Sequence, residues 1–298
     1  MPDGTPGPAE SLALWRIAQT EGIGPMGFRR LLARHGRGTA ALEALPRLLA
    51  KRETPARIPS ADAARREADA MAKLGARFIF WGDPGYPPLL ALLADAPAML
   101  AAQGDAALLA QVPSFAIVGA RNASAAGRRI AEDIAEELTR AGVLVISGLA
   151  RGVDAAAHQG ALRAGRTLAV LPGGLDIAYP PENAALQARI GREGALVAEH
   201  ALGTAPLARH FPKRNRIVAG LSLGVLVVEA AERSGTLITA RLALEAGREV
   251  FAIPGSPLDP RSRGANDLIR QGAHLVESAA DVLALSLIHI SEPTRLRR

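Results

Sequence analysis

The chain of 298 residues contains no cysteine. That excludes disulfides, a thiolate nucleophile and any zinc–thiolate centre. Lysine is almost as scarce. Lys51, Lys73 and Lys213 are the three among 35 basic residues, and arginine supplies the rest, a bias of the kind that a GC-rich coding sequence imposes. Although 49% of the residues are hydrophobic, no apolar run approaches the roughly 20 residues of a membrane span. The first residues, Met1-Pro-Asp-Gly-Thr-Pro-Gly-Pro8, have neither a basic start nor an apolar stretch, so no signal peptide is read there. These absences point to a cytoplasmic protein with no membrane partner.

The net charge is +6, but it is spread evenly, with +2 in each of residues 1–111, 112–283 and 284–298. A high isoelectric point distributed in this way does not by itself indicate nucleic acid; any basic site must be a local cluster. Several sequence signatures are also missing. Gly119 to Gly127 does not fit G-x-G-x-x-G, and no G-x-x-x-x-G-K-[ST] occurs. His35, His158, His200, His210 and His274 show no metal-ligand spacing. Neither Ser147 nor Ser234 lies in G-x-S-x-G. No catalytic constellation, cofactor or metal is therefore expected. Glu229, at a strand end, is the best lone carboxylate and is read as a partner for a site arginine. His158 is read as packing or capping locally.

What is present has a clear order. Residues 1–10 are Pro/Gly-rich and read as disordered. Residues 11–84 read as an N-terminal helical domain, with Leu12, Leu14, Trp15, Ile17, Phe28, Leu31 and Leu32 at helical spacing. Between its first helices lies Glu21-Gly-Ile-Gly-Pro25. This is either a helix-hairpin-helix, whose amides can hold a phosphate, or a plain helical hairpin with glycine caps; the plain hairpin is preferred. Ala61–Leu74 reads as a further helix and Arg77–Trp81 as a short strand.

Residues 85–283 form the main domain. Apolar runs at Phe115–Val118, Val143–Ile146, Thr167–Leu171, Ala195–Ala198, Val225–Val228 and Val250–Ile253 alternate with helical segments at Ala125–Ala141, Asp154–Ala164, Glu182–Arg192, Thr236–Ala246 and Asn266–Gln271. Continuous apolar strands spaced by helices predict an α/β fold whose mostly parallel sheet is buried on both faces, doubly wound and Rossmann-like. The last stretch, Leu285-Ser-Leu-Ile-His-Ile-Ser-Glu-Pro-Thr-Arg295, reads like a translated transposon-end sequencing adapter. Residues 284–298 are accordingly set apart as a non-native tail, with the native C-terminus expected to be missing.

In such a sheet a ligand lies beyond the carboxyl ends of the strands. The turns found there are Gly119-Ala-Arg121-Asn-Ala-Ser124, Ser147-Gly-Leu-Ala-Arg-Gly-Val-Asp154, Pro172-Gly-Gly-Leu-Asp176 with Tyr179-Pro-Pro181, Ser234-Gly-Thr236 and Pro254-Gly-Ser256. One glycine-rich turn is ordinary. Five on one edge, with Arg121 and Arg151 among them, describe an anion site. Gly148 and Gly152 let the backbone approach a ligand, and Asp154 is expected as the N-cap of the following helix. The densest cationic cluster is Arg209-His-Phe-Pro-Lys-Arg-Asn-Arg216, with Pro212 expected to open a helix. An aromatic among cations suits an unstacked base and its phosphates.

These segments resemble the DNA-processing protein A (DprA/Smf) family. Val118-Gly-Ala-Arg121…Ser124, Ser147–Asp154…Ala157-His158, Gly173-Gly-Leu-Asp176…Tyr179-Pro180, Phe211-Pro-Lys-Arg-Asn-Arg-Ile217, Val228-Glu-Ala230…Ser234-Gly-Thr236 and Val250-Phe-Ala-Ile-Pro-Gly255 occur in the family's order. With Tyr86-Pro-Pro-Leu-Leu90 they cover about residues 86–277. Residues 11–50 also resemble the family's N-terminal helical region.

The resemblance implies a non-enzymatic, dimeric protein. It would bind single-stranded DNA taken up in natural transformation, protect it and load the RecA recombinase. Arg121, Lys213 and Arg214 would grip phosphates, and Phe211 and Asn215 would contact bases. Gly119–Ser124, Ser147–Asp154 and Ser234-Gly235-Thr236 would line the pocket; Arg151 and Arg216 join the same site as cations. Two departures stand out. Ala198-Glu-His-Ala201 replaces the family's frequent Ser-Glu-x-Pro, and the small C-terminal winged-helix-like domain of many members is absent. The rival reading is a nucleotide-processing phosphoribohydrolase-like enzyme. Its Pro-Gly-Gly-x-Gly-Thr-type loop is not matched, because Pro172-Gly-Gly174 continues as Leu-Asp-Ile.

Overall fold

The apolar spacing of the first 75 residues produces four helices: α1 (Pro8–Ala18), α2 (Pro25–His35), α3 (Gly38–Leu49) and α4 (Ala61–Lys73). The computed structural model describes residues 6–50, 56–111 and 113–291. Ile17, Phe28, Leu32, Ala41 and Leu45 are buried together as one small core. Disorder over residues 1–10 is corrected in part. Pro8 opens α1, where a missing N–H costs nothing, and the Glu10 carboxylate accepts from the amides of Gly38 and Thr39, tying α1 to α3. Residues 1–5 lie outside the described residues.

A nine-stranded mixed sheet follows, with strand order β1-β2-β6-β5-β4-β3-β7-β8-β9. The strands are β1 (Ala76–Phe80), β2 (Met99–Gly104), β3 (Ser114–Val118), β4 (Leu144–Ser147), β5 (Thr167–Leu171), β6 (Ala195–Ala198), β7 (Gly224–Val227), β8 (Glu249–Ala252) and β9 (His274–Leu275). β3 to β9 pair in parallel, whereas β2 pairs antiparallel with both β1 and β6. β2 had no counterpart among the apolar runs read as strands, and β1, which precedes residue 85, belongs to the large sheet.

Helices cover both faces: α7 (Ala125–Arg140), α8 (Val153–Ala164), α9 (Ala184–Glu193), α10 (His210–Gly220), α11 (Gly235–Glu245) and α12 (Arg263–Arg270), with α5 (Pro88–Ala91) and α6 (Leu108–Gln111) as single turns. β3, β4, β5, β6 and β7 are buried along their whole length. This double burial is why their sequences show no polar alternation. Each such Val, Leu or Ile contributes about 1.5–3 kcal/mol of transfer free energy. α13 (Ala279–Ser291) runs on past residue 283 into the segment set apart above, and residues 292–298 lie outside the described residues. Among the described residues no helix is long and apolar enough to cross a membrane.

Two helix starts differ from expectation by small but consequential amounts. α8 is capped by Gly152 at φ 75°, not by Asp154. Glycine takes that left-handed conformation freely, so the chain enters the helix earlier than an Asp154 cap would allow. α10 begins at His210, which puts Pro212 within its first turn, where the absent N–H has no helical partner to lose.

His158 on α8 is fully buried, with Nδ1 2.8 Å from Thr167 Oγ1 and Nε2 without a hydrogen-bond partner among the described residues. Burial, and secondarily the charge of Arg214, lowers its pKa from 6.5 to about 3. The unfolded chain therefore takes up the proton first. The contribution is fully present above about pH 6.5 and is lost as pH falls toward 3, by up to about 1.4 kcal/mol per pH unit. Half-buried His200, lowered to about 4 mainly by burial, acts in the same direction. Thermal melts between pH 7.5 and 5 should show this decline, and His158→Gln should flatten it. An unchanged slope in the variant would refute the assignment.

Candidate functional site

The sheet reverses its direction of winding at β3, which has β4 on one side and β7 on the other. The turns leaving β3 and β7 therefore part, and a crevice must open between them. A cleft of about 610 Å³ lies there. Its walls are Gly119–Asn122 after β3, Ala231 and Arg233–Thr236 after β7, and Phe211, Pro212, Arg214 and Asn215 from α10, with Arg261 at one side.

The clustering expected of the turns is thus realised for Gly119, Arg121, Phe211, Arg214, Asn215, Ser234, Gly235 and Thr236. Ser234 caps α11 by accepting from the Thr236 amide at 3.1 Å, so the positive end of an eleven-residue helix opens on the cleft. Thr236 Oγ1 donates to the Gly119 carbonyl at 3.0 Å and ties the two walls together.

Four arginines and one aspartate line this cleft: Arg121, Arg214, Arg233 and Arg261 against Asp154. Arg261 is ion-paired with Asp259 at 2.8 Å and Arg214 with Asp154, so the excess of positive charge rests on Arg121 and Arg233, and between low-dielectric walls it concentrates potential for an anion. Arg233 and Arg261 were missed from the sequence. Arg233 directly precedes a turn that was recognised, and Arg261 follows β8 beyond the Pro254-Gly255-Ser256 turn, so position after a strand was the available signal.

The Arg121 guanidinium lies 5.0 Å from the centre of the Phe211 ring, and Tyr179 meets the same ring at 5.6 Å and 64°. The cleft therefore holds an aromatic ring flanked by a cation, which suits a planar base carrying a charged backbone.

Arg214 forms the floor. Its side chain is 6% exposed, with Nη1 3.9 Å from Asp154 Oδ2 and 3.4 Å from the Val170 carbonyl. Asp154 is equally buried and accepts from the amides of Gly148 at 3.2 Å and Ala150 at 3.4 Å. It braces the loop it was expected to cap. Burial raises the Asp154 carboxyl, with Arg214 and the loop amides acting against that rise. Gly148 is needed for space: a Cβ there would stand 1.2 Å from Arg214 Nη1.

Several residues fall elsewhere. Ser147 is wholly buried at the end of β4, where its Oγ donates to the Ile117 carbonyl at 2.6 Å, so it does not line the cleft. Ser124 caps α7 and is clasped by Glu229, which accepts from its amide at 2.9 Å and its hydroxyl at 2.5 Å. Glu229 thus joins the β3 and β7 turns, and its charge also acts on Arg261 of the cleft, without a direct ion pair to an arginine among the described residues. Gly152 contributes backbone geometry behind the cleft: a Cβ there would meet the Ala120 carbonyl at 2.2 Å. Arg151 is exposed and 3.5 Å from Glu182.

Lys213 and Arg216 lie on the other side of α10. They face a second cleft of about 580 Å³, shared with Ile23, Gly24 and Pro25 of the N-terminal hairpin. Arg216 is ion-paired there with Glu199 at 2.5 Å and with Asp95 at 3.5 Å. Helical periodicity explains the division, since residues three and four apart share a face. Among the described residues no group of three or more His, Asp or Glu side chains is placed to hold a metal.

The family model for DNA recombination-mediator protein A matches residues 77–286. The chain belongs to this family. A DprA-like N-terminal HHH domain matches residues 8–70, which assigns the Gly22-Ile23-Gly24 hairpin to the class that was not preferred above. The DNA processing protein DprA of Bacillus subtilis is 46% identical over 198 residues, covering 66% of this chain and 67% of that protein. Protein Smf of Escherichia coli is 48% identical over 202 residues, and the match spans 66% of this chain and 53% of that relative.

The crystal structure of DprA from Streptococcus pneumoniae superposes with a TM-score of 0.76 at 36% identity, covering 91% of this chain and 95% of that one. DprA from Helicobacter pylori, described as binding single-stranded DNA, superposes with a TM-score of 0.66 at 28% identity, covering 74% and 99%. The α/β fold with a mostly parallel sheet and an N-terminal helical domain is that of the DprA family.

Proposed function

We propose that this DNA recombination mediator binds single-stranded DNA without sequence preference and without catalysing a reaction, shields it, and passes it to the RecA recombinase. The observation that carries the reading is the ring of Phe211 under Arg121, set in an arginine-lined cleft at the sheet's switch point. The Helicobacter pylori relative supports the choice of ligand. Gly119, Arg121, Phe211, Arg214, Asn215 and the Ser234–Thr236 turn form the contact surface. Ser124, Ser147, Gly148 and Gly152 shape its walls, and Arg151 and Lys213 extend the cationic surroundings, while Arg216 is held by Glu199 and Asp95 beside the second cleft. The chain acts as a cytoplasmic homodimer, with residues 11–84 and 85–283 as its helical and DNA-binding domains.

Titration of labelled oligo-dT at two salt concentrations tests this. Affinity should fall steeply with salt, because each phosphate contact releases counterions. Arg121→Ala should weaken binding by about 1–2 kcal/mol, the scale of a charged hydrogen bond, and reduce the salt slope. Wild-type affinity in that variant would overturn the assignment. Nucleoside monophosphates should remain intact on incubation, and release of free base would favour the phosphoribohydrolase reading. RecA filaments should form faster on oligo-dT preloaded with the chain.

A further inference from the structure

Phe211 separates the main cleft from a smaller one. On its far side lies a pocket of about 210 Å³, bounded by Gly148–Arg151, Pro172, Tyr179–Glu182, Arg121 and Arg214. Two aromatic rings meet there. Tyr179 stands against Phe211 at 64°, and its side chain is not fully covered although Pro180 beside it is buried. Arg121, Phe211 and Arg214 line both cavities, so the two are neighbours across one ring.

The walls of the smaller pocket are fixed to one another. Asn183 donates its side-chain amide to the carbonyls of Leu149 at 3.0 Å and Ala150 at 3.2 Å, linking the loop after β4 to the turn after β5. Gln187 donates to the carbonyls of Leu175 at 3.2 Å and Ile177 at 3.3 Å, which holds the stretch leading to Tyr179. Arg151 stands over the pocket with Glu182 at 3.5 Å, both side chains more than half exposed. An exposed pair of this kind is weak and screened by solvent, so a phosphate can take the place of Glu182.

We propose that this pocket seats the nucleotide adjacent to the one in the main cleft, with Tyr179 as a second stacking platform and Arg151 as the cation for its phosphate. The inference rests on the single-stranded-DNA reading above and extends it. The strand crosses the edge of Phe211, one base lying on each side of that ring. Stacking on Tyr179 is tolerant of base identity because every base presents a π-face. Phe211, which belongs to both cavities, sets the step between the two bases.

The test is fluorescence anisotropy with labelled oligo-dT, followed by the same oligomer with a single abasic site moved along its length. Tyr179→Ala should weaken the intact oligomer on the order of tenfold, the scale of one lost base stack. Tyr179→Phe should bind as wild type, because the ring and not the hydroxyl carries the contact. In the wild type, abasic positions that fall in a pocket lower the affinity. In Tyr179→Ala one of those positions should cease to matter, which a general loosening of the fold would not produce. Unchanged affinity in Tyr179→Ala, or weaker affinity with every abasic penalty retained, overturns the inference while leaving the main cleft's role standing. A wild-type chain that binds no oligomer removes both.

Discussion

Phe211→Ala should weaken oligo-dT binding by about 1–3 kcal/mol, which is roughly 5- to 150-fold, with little change in thermal stability. The ring is partly exposed and belongs to none of the buried apolar clusters, and its neighbours are Arg121 at 5.0 Å and Tyr179 at 5.6 Å. Little apolar core is lost with it, so the cost falls on the ligand. Arg121 also loses the surface that orients it. The double variant with Arg121→Ala should therefore lose less than the sum of the two single losses, since residues in contact do not contribute independently. Binding measured for the four proteins of that cycle checks the point. Full additivity would mean that the ring and the guanidinium act separately, and wild-type affinity in Phe211→Ala would remove the stacking role altogether.

Asp154→Asn should cost about 3–5 kcal/mol of folding stability, because it leaves the buried Arg214 guanidinium without its counter-charge. Asparagine retains an oxygen for the Gly148 and Ala150 amides, so the loss reports the charge and not the loop bonds. The paired change Asp154→Asn with Arg214→Met removes both charges and keeps an acceptor for the Gly148 and Ala150 amides. It should recover most of the stability, since neither an unpaired buried charge nor an unpaired loop amide remains. It should not recover DNA binding, because the floor of the cleft then lacks its cation. Denaturant unfolding and oligo-dT titration on the same proteins separate the two effects. Near-wild-type stability in Asp154→Asn would show that Arg214 is held by the Val170 carbonyl and solvent alone.

The parallel strands were legible because burial on both faces writes itself as unbroken apolar runs, and β5 and β6 coincide with them residue for residue. The turns beyond those strands were legible for a related reason: glycine and arginine cluster where the unbroken apolar runs stop. β2 escaped because Met99–Gly104 joins the sheet antiparallel, far along the chain from its partner β6, and only tertiary pairing selects it. The cluster Arg209–Arg216 was correctly read as cationic but wrongly read as one surface. Had helical phase been applied from His210, Lys213 and Arg216 would have separated from Phe211 and Arg214. Asp154 was misassigned as a cap, and the clasp of Glu229 on Ser124 was missed, for the same underlying cause. A short acidic side chain next to a glycine turn can cap a helix, brace a loop or pair with arginine, and the choice depends on which amides the fold brings within reach.

The main cleft has no local version. Its walls come from segments between Val118 and Arg261, with the Thr236–Gly119 and Glu229–Ser124 contacts holding turns more than a hundred residues apart. A chain that stops before Arg261, or is cut between Val118 and Arg261 with its pieces parted, holds only part of it. Whatever occupies the cleft can recognise only the finished molecule, so occupancy acts as a clamp on the whole parallel sheet, worth about 2.7 kcal/mol at a hundred times the dissociation constant.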